Sequence, residues 1–133
     1  DLHFYMTSAE ERETYLDPAK LNASPAADYL PANYVGGDPV PTMGKHFVDI
    51  TSPELNGQPF TQTFIYGSYD SKVVFYEPMI TLAFLKNTSN FERTIPQPSK
   101  FKSSGYYPTK MRVVKQNGVS NIILEGFVYR QQS

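Results

Sequence analysis

The segment Phe60 to Met79, FTQTFIYGSYDSKVVFYEPM, constrains this chain more than any other. Two arms rich in aromatic and β-branched residues flank Tyr69-Asp70-Ser71-Lys72, which predicts a β-hairpin over Phe60–Tyr69 and Lys72–Glu77. Period-two alternation puts Phe60, Gln62, Phe64, Tyr66 and Ser68 on one face of the first arm. Thr61, Thr63, Ile65, Gly67 and Tyr69 take the other. Neither set is purely polar, so the arm is expected to be covered on both sides. The second arm ends in a carboxylate, Glu77, fixed before Pro78.

The other elements follow from turn and cap chemistry. Leu2 to Met6 reads as a short strand. Thr7 and Ser8, each followed three residues later by a glutamate, predict a helix over Ala9 to Leu16, stopped by Asp17-Pro18. Residues 17–45 carry five prolines and Gly36-Gly37 and are expected to form a long wrapping loop, anchored by Tyr29, Leu30, Tyr34 and Val35. His46 to Ile50 reads as a strand. Pro78 suits a first helical turn, which predicts a helix over 79–86, with a strand as the alternative. Asn87 to Ser104 is expected as a loop. Asn117-Gly118 predicts a second hairpin between Tyr107–Lys115 and Val119–Arg130, with a bulge or bend at Gly126. Together these predict one mainly β (α+β) domain over 1–133. The architecture expected is a curled antiparallel sheet or partly open β-barrel with one or two short helices, with a β-sandwich as the alternative.

Composition narrows function by exclusion. The 133 residues carry a net charge of −1 with scattered Lys and Arg, which argues against a nucleic-acid partner. No apolar run approaches the roughly 20 residues of a membrane-spanning helix, so membrane insertion is not expected. There is no cysteine, which removes thiol chemistry, disulfides and thiolate-bound zinc. Ten tyrosines and nine phenylalanines suggest a lined cavity or a subunit contact. The start at Asp1, without an initiator Met, reads as a mature or trimmed chain, which leaves room for a signal peptide already removed.

His3 and His46 are the only histidines. His46 follows Gly44-Lys45, and Asp49 three residues later falls on the opposite face of a strand. Two histidines converging with Glu77 would form a metal site, since imidazole offers a neutral nitrogen and the carboxylate balances the ion's charge. Divalent metal is the cofactor this predicts, through His3, His46 and Glu77. No HxH or HExxH spacing supports it, and the plainer reading makes His46 a strand histidine and Glu77 a helix cap. Burial beside Phe75, Tyr76 and Met79 would suit Glu77 to general acid or base work, but no nucleophile motif accompanies it. Tyr66 and Tyr76, with His46 and Glu77, are the candidate small-molecule ligand residues.

The blocks MGKHFVD, TSPELNGQPFTQTFIYGSYD, KVVFYEPMIT and EGFVYR resemble an uncharacterised family of small bacterial domains, typified by a Thermus protein under extracytoplasmic stress sigma-factor control. The resemblance spans most of residues 1–130 and implies export (periplasmic or extracellular) and self-assembly. It carries no catalytic assignment, though His46 and Glu77 fall on its motif positions. The leading expectation is thus an exported ligand-binding or self-assembling module, with a homo-oligomer as partner. A metal-dependent or acid/base enzyme using His46 and Glu77 is the alternative, and a purely structural envelope module the third.

Overall fold

The computed structural model describes residues 1–133. Ten strands and three short helices are arranged as antiparallel sheets that do not close into a barrel. The largest has five strands in the order β1 (Phe4–Tyr5), β5 (Lys72–Ile80), β4 (Gln62–Tyr69), β3 (Gly44–Asp49) and β2 (Tyr34–Val40). A second sheet orders β6 (Asn90–Thr94), β8 (Lys110–Gln116) and β9 (Val119–Glu125). A ribbon pairs β7 (Gly105–Tyr107) with β10 (Val128–Arg130).

Both predicted hairpins form. Asp70 (φ 51°) and Ser71 (φ 63°) turn the first, and Asn117 (φ 51°) and Gly118 (φ 76°) turn the second. Two successive residues of positive φ give the turn twist that matches paired strands. Residues Thr63 to Ser68 of β4 are all buried, so the arm is covered on both faces as its alternation implied. Phe64 and Tyr66 join Phe47, Tyr76, Leu30 and Tyr34 in the main core, which Met111 of the second sheet and Ile95, just past the end of β6, close from the other side.

Several boundaries depart from the sequence reading. The first helix, α1, spans only Ala9–Arg12, and Asp17 does not end it but caps α2 (Pro18–Asn22) through its own carboxylate. Residues 17–45 are not one long loop: they hold α2, a 3-10 turn and β2. Pro39 is tolerated in β2 because that strand is an edge, with the register shifting between Gly36 and Pro39. Residues 87–104 contain β6. The second hairpin is shorter than expected, because Pro108 separates β7 from β8 and Gly126 (φ 68°) ends the pairing with β8.

The helix expected over 79–86 begins at Leu82 as α3 (Leu82–Asn87), capped by Thr81. Met79 and Ile80 remain in β5, opposite Thr63 and Gln62. Pro78 sits within that strand rather than in a helical turn. Its carbonyl accepts from Leu2 N at 3.2 Å, so the side of Pro78 that lacks an N–H faces the very start of the edge strand β1, where pairing ends.

Burial pushes the phenols of Tyr34, Tyr66 and Tyr76 upward. An unfolded tyrosine releases its proton near pH 10 while these three keep theirs, so their contribution to stability is full below about pH 10 and is lost as pH rises through the folded values. Denaturant unfolding between roughly pH 9 and 11.5 is expected to show stability falling once pH passes about 10. A flat profile across that range would contradict the burial.

A candidate metal centre on the outer face of the five-stranded sheet

The register of three strands builds the site. Phe4 opposes Tyr76 and Tyr5 opposes Phe75, so the pairing continued by one step sets His3 opposite Glu77. His46 opposes Gly67, and Gly67 opposes Phe75. His46, Gly67, Phe75 and Tyr5 therefore form one row across β3, β4, β5 and β1, on the face turned away from the main core. His3 and Glu77 lie in the next row on the same face. His46 must reach diagonally over two strand spacings, about 10 Å, to meet Glu77.

Gly67 makes that reach feasible. The Phe75 ring lies over it so closely that a Cβ there would stand 1.9 Å from a ring carbon. With no side chain beneath, Phe75 becomes a platform for both histidines. Its centroid is 5.1 Å from that of His3 and 5.2 Å from that of His46. Tyr5 stacks on His3 at 6.0 Å and donates its hydroxyl to Met43 O at 3.0 Å, which ties the two-residue strand β1 to the entry of β3. Arg12 lies over the Tyr5 ring at 4.5 Å.

At the centre of this platform the three predicted donors meet. His3 Nε2 lies 3.2 Å from Glu77 Oε2, and His46 Nε2 lies 3.3 Å from the same oxygen. One donor atom from each residue falls within 4.8 Å of the others. The Glu77 side chain is only 3% exposed, while the histidines keep 19% and 18%. Both distances are within reach of a hydrogen bond, yet the alignment is wrong for one: His3 Nε2 and Glu77 Oε2 are buried atoms without a hydrogen-bond partner. The two imidazole-to-carboxylate spacings instead match those between ligands of one ion. Two donors held about 2.05 Å from one ion at the tetrahedral angle stand about 3.3 Å apart.

Electrostatics agree with a ligand role for His3. Burial lowers its pKa more than the neighbouring Glu77 carboxylate raises it, with His46 adding to the lowering. The imidazole is thereby kept neutral, the form that binds metal. One feature departs from a well-supported centre. His46 Nδ1 is buried with no partner, whereas a metal-bound histidine usually donates its second nitrogen to a carboxylate, carbonyl or water.

The candidate ligand residues divide into two groups. His46 and Glu77 share the centre with His3. Tyr66 and Tyr76 do not join them, because alternation turns both to the opposite face of the sheet, where they are buried in the main core. There Tyr66 donates to Pro96 O at 2.5 Å. Asp49, expected to be turned away from His46, accepts from Thr51 N and Oγ1 and lies 3.9 Å from Arg93. The residues that sequence reasoning missed are the supports: Gly67, Phe75 and Tyr5. A glycine amid bulky residues in a two-sided strand was the available signal, since such a position often marks a close approach.

Comparison with protein-family models, curated proteins and solved structures finds no match.

Gly67→Ala is expected to cost about 1–3 kcal/mol, the usual penalty for overpacking, because the Phe75 platform must move. Thermal or denaturant unfolding measures it. A substitution without effect would show that the platform is not tightly seated.

Proposed function

We propose that the protein is a metal-binding module that holds one divalent transition-metal ion through His3, His46 and Glu77. The observation that carries this reading is the convergence of two imidazole nitrogens on one buried carboxylate oxygen at 3.2 and 3.3 Å, without hydrogen-bond alignment. Two histidines and one carboxylate form a donor set for zinc or another borderline ion. A buried carboxylate without a counter-charge costs several kcal/mol, and a divalent cation supplies that charge.

Three protein donors leave coordination positions for water or an exogenous ligand, and a bound ion at such a position acidifies water or polarises an oxygen ligand. The residues themselves favour binding over catalysis. Glu77 is committed to the ion, and no second carboxylate belongs to the group to serve as a base. Export and bacterial origin are part of the same proposal and rest on the motif resemblance. Self-assembly is a separate proposal. Tyr106, Phe127, Val128 and Tyr129, exposed on and beside the β7–β10 ribbon, supply apolar surface in its favour.

Calorimetric titration of chelator-treated protein with Zn²⁺ is expected to give one site per chain. His46→Ala and Glu77→Gln are each expected to weaken it by more than about 100-fold, since even support residues of metal ligands are worth 10–100-fold. Far-UV circular dichroism confirms that each variant folds. Absence of stoichiometric binding, or an unchanged affinity in Glu77→Gln, would overturn the reading.

A further inference from the structure

We infer that the protein has a second ligand site, a cavity on the core side of β5 that takes a small amphiphilic carboxylate with an aliphatic or aromatic body. The inference is independent of the metal centre, which lies on the other face of the sheet.

It starts from an unpaired phenol. Four tyrosines are buried: Tyr15, Tyr34, Tyr66 and Tyr76. Three of them donate their hydroxyls, Tyr15 to Thr7 Oγ1, Tyr34 to Phe64 O and Tyr66 to Pro96 O. Tyr76 is 6% exposed, and its hydroxyl has no partner in the protein. The oxygen is not a buried unsatisfied atom, so the hydroxyl reaches open space rather than closing on the core. Tyr76 lines a cavity of about 250 Å³, which leaves its hydroxyl free to donate to an acceptor that enters there. Burial keeps it protonated and thus able to donate.

The rest of the lining fixes the chemistry of that acceptor. Tyr107 and Phe101 contribute aromatic walls, and Lys72, Lys100 and Lys102 contribute three ammonium groups against a single acid, Glu11. Lys102 lies over the Tyr29 ring at 4.2 Å, which holds its charge at the cavity wall. Lys100 reaches Asp28 at 3.7 Å, but both are well exposed and such a pair is weak. An excess of positive charge selects an anion, and the rings select an apolar body.

Size sets the scale. A cavity of about 150 Å³ already admits benzene. An adjoining apolar cavity of about 400 Å³ shares Met6, Tyr76 and Tyr107 with the first and is lined further by Phe4, Leu124 and Phe127. A carboxylate near Tyr76 and the lysines can therefore extend an apolar chain of several carbons along the shared wall.

The test compares sodium octanoate with octan-1-ol, by calorimetry on the full chain in the presence of a chelator. Octanoate is expected to bind with one site per chain and octanol at least about tenfold more weakly, since a hydrogen bond to a charged acceptor is the stronger kind. Tyr76→Phe keeps the ring and removes the donor, and is expected to weaken octanoate by about tenfold. Combined Lys72→Gln, Lys100→Gln and Lys102→Gln is expected to abolish the preference for octanoate over octanol. No octanoate binding, equal binding of the alcohol, or an unchanged affinity in Tyr76→Phe would each overturn the assignment. Chelator keeps the outcome separate from that of the metal titration.

Discussion

A carboxylate buried in the middle of a sheet governs this structure. Glu77 cannot sit at 3% exposure as an isolated charge without a large desolvation penalty, so its neighbours must answer it. Two imidazoles do so, one from the edge strand directly opposite and one from two strands away. Everything else on that face serves the second contact. Gly67 clears the lane, Phe75 fills it with a flat ring, and Tyr5 secures the edge strand by bonding to Met43 O. The proposed metal ion would complete this arrangement by placing a positive charge beside the buried carboxylate.

The two faces of the five-stranded sheet divide the work. One carries Phe47, Phe64, Tyr66 and Tyr76 into the core shared with the second sheet. The other carries the polar centre above its aromatic platform. The short strand β1 belongs to both: His3 and Tyr5 turn to the centre, while Phe4 and Met6 line the cavities behind. An element this short is held by few backbone bonds, so its attachment depends on what its side chains grip.

Much of this was legible in the sequence, for identifiable reasons. Turn chemistry at Asp70-Ser71 and Asn117-Gly118 located both hairpins, because few residues accept positive φ and these positions stand between clear strand patterns. The mainly β class followed. His3, His46 and Glu77 stand out by residue type alone, and nothing local ties them together. His46 meets Glu77 only through the pairing of three strands, and register over such separations leaves no mark in any short window. Grouping Tyr66 and Tyr76 with His46 and Glu77 overlooks the alternation that turns Tyr76 away from its strand neighbour Glu77. Prolines caused the remaining errors. Pro18 and Pro39 read as breakers and Pro78 as a first helical turn, whereas a helix start, an edge strand and the end of a neighbour's pairing each accommodate one without losing a bond.

The convergence of three donors on one ion is most directly tested by long-range ¹H–¹⁵N NMR of the histidine side chains during Zn²⁺ titration. The chain has only two histidines, so each ring is resolved without ambiguity. Both Nε2 resonances are expected to shift together and to saturate at one ion per chain, with the proton retained on Nδ1 in each ring. A shift confined to one ring, or none in either, would contradict the centre described here.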